Sequence, residues 1–198
     1  MGGTTVGRPS RMRNLALLTI GLTLAACSSE APSAAAPPAS SSDPPRTFES
    51  TRHGYSVEVP PGWDVTEYEG TWKSLEQFAP GAEVPGEDVV APTDLSSFLV
   101  SNSMRIPPKM AASEWLAAFD ALVAAGFNSK CPGTTGTGAV AGEPATVVEQ
   151  PCDGSIIIGR SLTHEGRGYY FTIRFPAGDP TTEATFDGLV ASIRFDED

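Results

Sequence analysis

The chain has 198 residues, with 13 Lys and Arg against 24 Asp and Glu, a formal net charge of −11. So acidic a body is repelled by nucleic acid and by anionic lipid surfaces, which argues against both as partners of the folded part. Three cysteines with no C-x-x-C or His-pair spacing give no metal motif.

The first 26 residues read as a targeting segment. Arg8, Arg11 and Arg13 precede Leu15–Ala26, twelve uncharged residues rich in Leu and Ala. That charged-then-apolar order is the layout of a secretory signal. A helix of that length rises only about 18 Å, against a hydrocarbon core of about 30 Å, so a permanent span is not expected. Leu24-Ala25-Ala26-Cys27 resembles the bacterial lipobox, in which the cysteine becomes the acylated N-terminus. The alternative is an ordinary signal cut at a small-residue site, with Cys27 incidental. Residues 27–45 then form a tether. Ser28–Pro45 contains only Ser, Ala and Pro apart from Glu30 and Asp43, including five prolines. It has no apolar face to bury, and it would reach about 55 Å if extended. Loss of the three leader arginines leaves ten Lys and Arg against 24 acids, a mature charge of −14.

Arg46–Asp198 spans 153 residues without a second linker or an internal repeat, which predicts one domain burying roughly 70% of its unfolded surface. "GYSVEVPPGW" starts as a strand, with Tyr55, Val57 and Val59 on one face, and Pro60-Pro61-Gly62 stops it. Thr71–Asp94 is Pro- and acid-rich and carries no clear pattern beyond a short helix around Lys73–Phe78. "LSSFLVSNSMRI" predicts a strand with Phe98, Val100, Met104 and Ile106 inward. "ASEWLAAFDALVAAG" predicts a helix whose stripe is Trp115, Leu116, Phe119, Leu122 and Val123, closed by Gly126. Glu114 in its first turn suits the helix dipole.

Export places Cys131 and Cys152 in an oxidising compartment, so they are expected to pair; reactive thiols are the alternative. The bridge would close "CPGTTGTGAVAGEPATVVEQPC", a Gly-, Thr- and Pro-rich segment with little capacity to order itself. "PATVVEQ", "SIIIGRSL" and "YYFTIRF" predict three strands, with Tyr169, Phe171, Ile173 and Phe175 sharing one face of the last. "THEGRG" has the composition of a hairpin turn. Thr181 or Thr182 caps a final helix with Phe186, Leu189 and Val190 inward, and "SIRF" ends the chain as a short strand. Sequential strands with one helix between sheet halves and one near the end predict an α+β sandwich, its sheet largely antiparallel.

Four stretches in this order, "GYSVEVPPGWDV", "SEWL", "GRGYYFTIRF" and "TFDGLVASIRF", resemble PsbP-like domains of exported bacterial lipoproteins. The resemblance covers nearly all of Arg46–Asp198. It implies an antiparallel sheet flanked by helices and no common reaction, since such domains serve as an extrinsic photosystem subunit, as intracellular binding proteins and as lipoproteins.

Residues suited to catalysis are scarce. His53 and His164 are the only histidines, and both sit in turn-like contexts where an exposed side chain is expected. No G-x-S-x-G, H-E-x-x-H or S-x-x-K stretch occurs. "GTGAVA", Gly136–Ala141, matches a loose dinucleotide pattern but runs into Gly142-Glu143-Pro144, which does not open a helix, so turns are the expected role. Glu83, Glu87, Asp88 and Asp94 crowd one loop as oxygen donors for a hard cation or as solubilising charge. Trp63, Trp115, Tyr169 and Phe186 serve either a ligand cleft or the core, and the helical stripes favour the core. No catalytic, cofactor or metal residues are assigned. The expected function is a lipid-anchored extracytoplasmic accessory or binding module, held to the membrane through Cys27 and contacting a protein or envelope partner. The alternatives are a carrier of a small apolar ligand and a hydrolase with unrecognised catalytic groups.

Overall fold

The structure, a computed structural model, describes residues 44, 46–68, 70–78, 88–126 and 131–196. The leader, Cys27, the tether apart from Pro44, and the acids Glu83 and Glu87 lie outside the described residues.

Among the described residues, ten strands pair antiparallel throughout. β1 (Arg46–Ser50), β2 (Tyr55–Val59) and β10 (Arg194–Phe195) make a small sheet in the order β1-β2-β10. β3 (Trp63–Thr66), β4 (Asp88–Pro92), β5 (Phe98–Arg105), β6 (Thr134–Val140), β7 (Glu143–Cys152), β8 (Ser155–His164) and β9 (Arg167–Pro176) make the large one. Its order is β3-β4-β5-β9-β8-β7-β6. Helix α1 (Ala112–Ala125) leaves the sheet after β5, and α2 (Pro180–Ser192) follows β9.

Each face of the large sheet has its own core, because strands send successive side chains to opposite faces. On one face Leu99, Leu162, Tyr169, Phe171, Ile173 and Phe175 pack with Tyr55, Val57 and Val59 of the small sheet and with Phe186, Leu189 and Val190 of α2. On the other, Met104 and Val148 pack under Trp115, Phe119 and Val123 of α1, with Trp72 beside them. The four alternate residues expected inward on β9 are all buried, and both helical stripes meet the sheet.

Four expectations change. Of the four residues expected inward on β5 only Met104 is buried; Phe98, Val100 and Ile106 are half-buried. The buried Leu99, Ser101 and Ser103 lie on the face expected outward, because β5 is central and covered on both sides. The segment between the cysteines is ordered: β6 pairs with β7 in full register from Thr134↔Glu149 to Val140↔Glu143. The patternless stretch holds β4 and, within the expected helix, a 3-10 turn at Leu75–Phe78. The cap of α2 is Asp179, whose carboxylate accepts from the amides of Thr181 and Thr182, so neither threonine is the cap. An acidic acceptor with Pro180 following it is well suited to a helix start.

Strands β6 to β9 form a meander joined by two-residue turns, Ala141-Gly142, Asp153-Gly154 and Glu165-Gly166, all with positive φ at both positions. Such turns match the twist of the paired strands. The cysteines are joined, Cys131 to Cys152 with Cα atoms 4.9 Å apart, and this fastens the chain just before β6 to the last residue of β7.

Candidate functional site

Polar residues from both sheets meet where the β1–β2 turn lies over β4 and β5. Ser50, His53 and Tyr55 come from the small sheet and its turn; Asp88, Ser101 and Ser103 come from the large one. All six are at most 2% exposed. Ser50 donates to Asp88 Oδ2, and Tyr55 shares a hydrogen bond with Ser101. The Ser101 hydroxyl lies 3.4 Å from the Asp88 carbonyl. Arg167 Nη1 donates to Ser103 Oγ at 2.8 Å, and Ser103 Oγ lies 2.8 Å from His53 Nδ1. Ser103 Oγ carries one proton and two lone pairs, so it meets both Arg167 and Nδ1 in either imidazole tautomer, and the remaining ring nitrogen is Nε2. That nitrogen is 3.9 Å from Asp88 Oδ2, too far for a hydrogen bond.

The order Ser103, His53, Asp88 has the composition of a nucleophile, base and orienting acid. Its burial denies it that role, because a substrate carbonyl has no route to a serine oxygen that is 0% exposed and already accepts from Arg167. The arrangement is a polar seam joining the two sheets. His53 therefore departs from expectation: its turn is folded inward, so the imidazole is wholly buried instead of exposed.

Burial, with Arg167 and Arg52 adding to it, pushes His53 down to about 4. The same desolvation pushes Asp88 and the Tyr55 phenol up. Between the ordinary histidine value of 6.5 and about 4, the native state binds fewer protons than the unfolded chain. Stability from His53 is thus full above about 6.5 and is lost as the pH falls toward 4, by at most about 3 kcal/mol. Asp88, shifted upward, acts with the opposite sign and offsets part of that loss at the acid end. Urea unfolding near neutral pH and at about pH 5 is expected to show this slope in the native chain and a shallower one in His53→Gln. Equal slopes would remove His53 as its source.

Directly above the seam is an open polar pocket of about 160 Å³. Arg105, Arg167 and His164 contribute the sheet side, Thr51 and Gly54 the β1–β2 turn, and Glu165 and Asp196 the acidic rim, with Tyr169 at its base. His164 is the last residue of β8, not a turn residue, and only 23% of its side chain is exposed. Its Nδ1 lies 2.7 Å from Glu143 Oε1, and its ring stacks on Phe195 at 4.5 Å.

The remaining candidates fall elsewhere. Trp115 and Phe186 are fully buried and Tyr169 nearly so, as the core reading expects. Trp63 lines a surface hollow of about 370 Å³ with Pro44, Pro60 and Pro61, rimmed by Arg46 and Asp64, which form an ion pair at 3.6 Å. The space between sheet and α1, where a carrier would hold an apolar ligand, is occupied by the stacked rings of Trp115, Phe119 and Trp72. "GTGAVA" is β6 running into its turn. Of the acid loop, Asp88 is buried in the seam and Asp94 accepts from Ser96, so the two described members are engaged separately. No helix among the described residues is long and apolar enough to cross a membrane. The seam was missed because its serines read as the outward half of a strand; the clue was "SNS" inside a strand that has neighbours on both sides.

No protein-family model matches the chain, and no curated protein matches its sequence. Among solved structures, cyanobacterial PsbP (CyanoP) from Synechocystis sp. PCC 6803 is similar with a TM-score of 0.51 at 16% identity, over 76% of this chain and 91% of that one. LpqN, involved in cell envelope biogenesis of Mycobacterium tuberculosis, gives 0.49 at 11% identity, over 79% and 87%. The Ran-binding protein Mog1p of Saccharomyces cerevisiae gives 0.43 at 9%, over 77% and 95%. The fold is PsbP-like, an α+β sandwich with antiparallel sheets.

Proposed function

We propose that the protein is a lipid-anchored extracytoplasmic accessory module that acts by binding. The anchor rests on sequence: an Arg-then-apolar leader, the lipobox-like Leu24–Cys27, and a Ser/Ala/Pro tether that leads to the folded body. The observation that carries the second half is the division of the site. The side chains that resemble catalytic machinery, Ser103, His53 and Asp88, are sealed between the sheets, whereas the accessible pocket above them offers fixed charge and hydrogen bonds. Such a pocket holds a group without attacking it. A spacer that lets a strongly acidic domain stand off an anionic membrane fits the same reading.

The test of the anchor is Cys27→Ala expressed in the native host. The substituted chain is expected to leave the detergent phase and to take up no acyl label. Continued partitioning and labelling would show that Cys27 is not the attachment point. Crosslinking of the tethered form in native membranes, followed by mass spectrometry, addresses the protein or envelope partner. Turnover of a captured molecule by the purified chain would overturn the binding reading.

A further inference from the structure

Cationic side chains are scarce in this chain, 13 Lys and Arg in 198 residues, yet the register sets two of them side by side at one corner. Arg105 of β5 stands directly opposite Arg167 of β9, and Arg167 directly opposite His164 of β8. Cross-strand partners share a sheet face, so the three side chains emerge side by side into the same pocket. Like charges directly opposite each other destabilise a sheet, a repulsion that Glu165 and Asp196 in the same pocket offset in part and that an anion seated between the arginines would relieve further.

Two further observations point to a built receptor. Arg167 is aimed by a buried hydroxyl, Ser103 Oγ at 2.8 Å, which removes much of the freedom a surface arginine would lose on binding. Arg105 is exposed and forms no ion pair among the described residues, so its guanidinium fork is available. Beyond the burial that chiefly depresses the ionisation of His53, Arg167 and Arg52 add to the shift, so the charge of Arg167 is felt below the pocket as well as in it.

The rim narrows the choice of anion. Glu165 and Asp196 line the same pocket, and a doubly charged phosphate placed between the arginines would be repelled by both. A singly charged carboxylate meets less repulsion, and a hydroxyl or ammonium beside it finds a carboxylate acceptor on the rim. The volume of about 160 Å³ suits a fragment of a few heavy atoms.

We infer that the pocket between Arg105 and Arg167 is a binding site for a small monocarboxylate that bears a neighbouring hydrogen-bond donor, as in a 2-hydroxy or 2-amino acid. The carboxylate bridges the two guanidinium groups and the donor faces Asp196. This inference rests on the binding reading given above and names what that binding takes.

The experiment is calorimetric titration of the full exported chain in detergent with lactate, alanine, acetate and inorganic phosphate. Lactate or alanine is expected to bind more tightly than acetate, and phosphate most weakly. Arg105→Gln should weaken the better of the two by about tenfold or more, the loss of a charge-assisted pair. Its thermal midpoint without ligand should be unchanged or higher, because the arginine repulsion is gone. Arg105→Lys should recover part of the affinity. No saturable binding of lactate or alanine, equal binding in Arg105→Gln, or tighter binding of phosphate would each overturn the inference. Chemical analysis of the recovered probe keeps the two ideas apart. An altered probe sinks the binding reading but leaves the site, whereas failure to bind sinks the site and leaves the anchored module untouched.

Discussion

Trp115→Ala is expected to lower the stability of the folded chain by about 3–5 kcal/mol, the range for emptying a large buried aromatic site. Trp115 is 0% exposed and carries the contact between α1 and the large sheet. Its indole stacks on Phe119 with centroids 5.1 Å apart and planes at 12°. It lies so close over Gly168 of β9 that a Cβ there would come within 2.3 Å of the ring. The sheet is thus shaped to receive this one side chain, and neighbouring backbone has no ready way to collapse into the space left behind. One feature works in the other direction: the buried indole Nε1 has no hydrogen-bond partner among the described residues. Trp115→Phe gives up some packing but also removes that unsatisfied donor, so it is expected to cost clearly less than alanine. Urea unfolding of the three chains measures both differences. A cost below about 1 kcal/mol for Trp115→Ala would mean that α1 contributes little to the fold.

Removing the disulfide, with Cys131→Ser and Cys152→Ser together, is expected to cost about 3 kcal/mol. The bridge spans a sequence separation of 21, and most of that loop is the β6–β7 hairpin. β6 buries almost nothing: six of its seven residues are exposed, and only Val140 reaches the core. With so little packing of its own, this edge strand depends on having its start pinned to the end of β7. The loss is therefore expected to be local first. Hydrogen exchange of the amides of β6 should accelerate in the double variant well before those of β9, which is buried in the middle of the sheet. Alkylation of the untreated exported protein should find neither thiol free. Two reactive thiols in that protein, or uniform acceleration of exchange over all strands, would show that the bridge does not have this role.

How well each part could be read from the sequence follows from the distance over which its cause acts. The α1 stripe repeats within four residues, and the alternation of Tyr169, Phe171, Ile173 and Phe175 repeats within two, so both are visible in the chain itself. The start of α2 was misassigned by a few residues because Asp179, Thr181 and Thr182 are all competent caps, and only backbone geometry chooses among them. β6 was taken for loop because Gly and Thr carry a weak strand signal; its order comes from pairing with β7 and from the disulfide. β4 was invisible for a related reason, being five residues long and flanked by an irregular stretch.

The seam and the pocket depend on contacts between residues far apart in the chain. Ser50 meets Asp88 across 38 positions, His53 meets Ser103 across 50, and Arg167 meets Ser103 across 64. Nothing local marks His53 as buried, since Gly54 and a turn beside it look the same on a surface as in an interface. By itself the sequence determined β7, β8 and β9 of the meander, the two amphipathic helices and the disulfide partners, because periodicity, turn chemistry and cysteine count are properties of short segments or of the whole composition. Only the tertiary structure decided that a Ser–His–Asp set lies sealed between sheets and that Arg105, Arg167 and His164 stand in one row. The register between β5, β9 and β8 is a global solution for burying both faces of the sheet, and it sets which polar side chains are carried inward and which are left together in solvent.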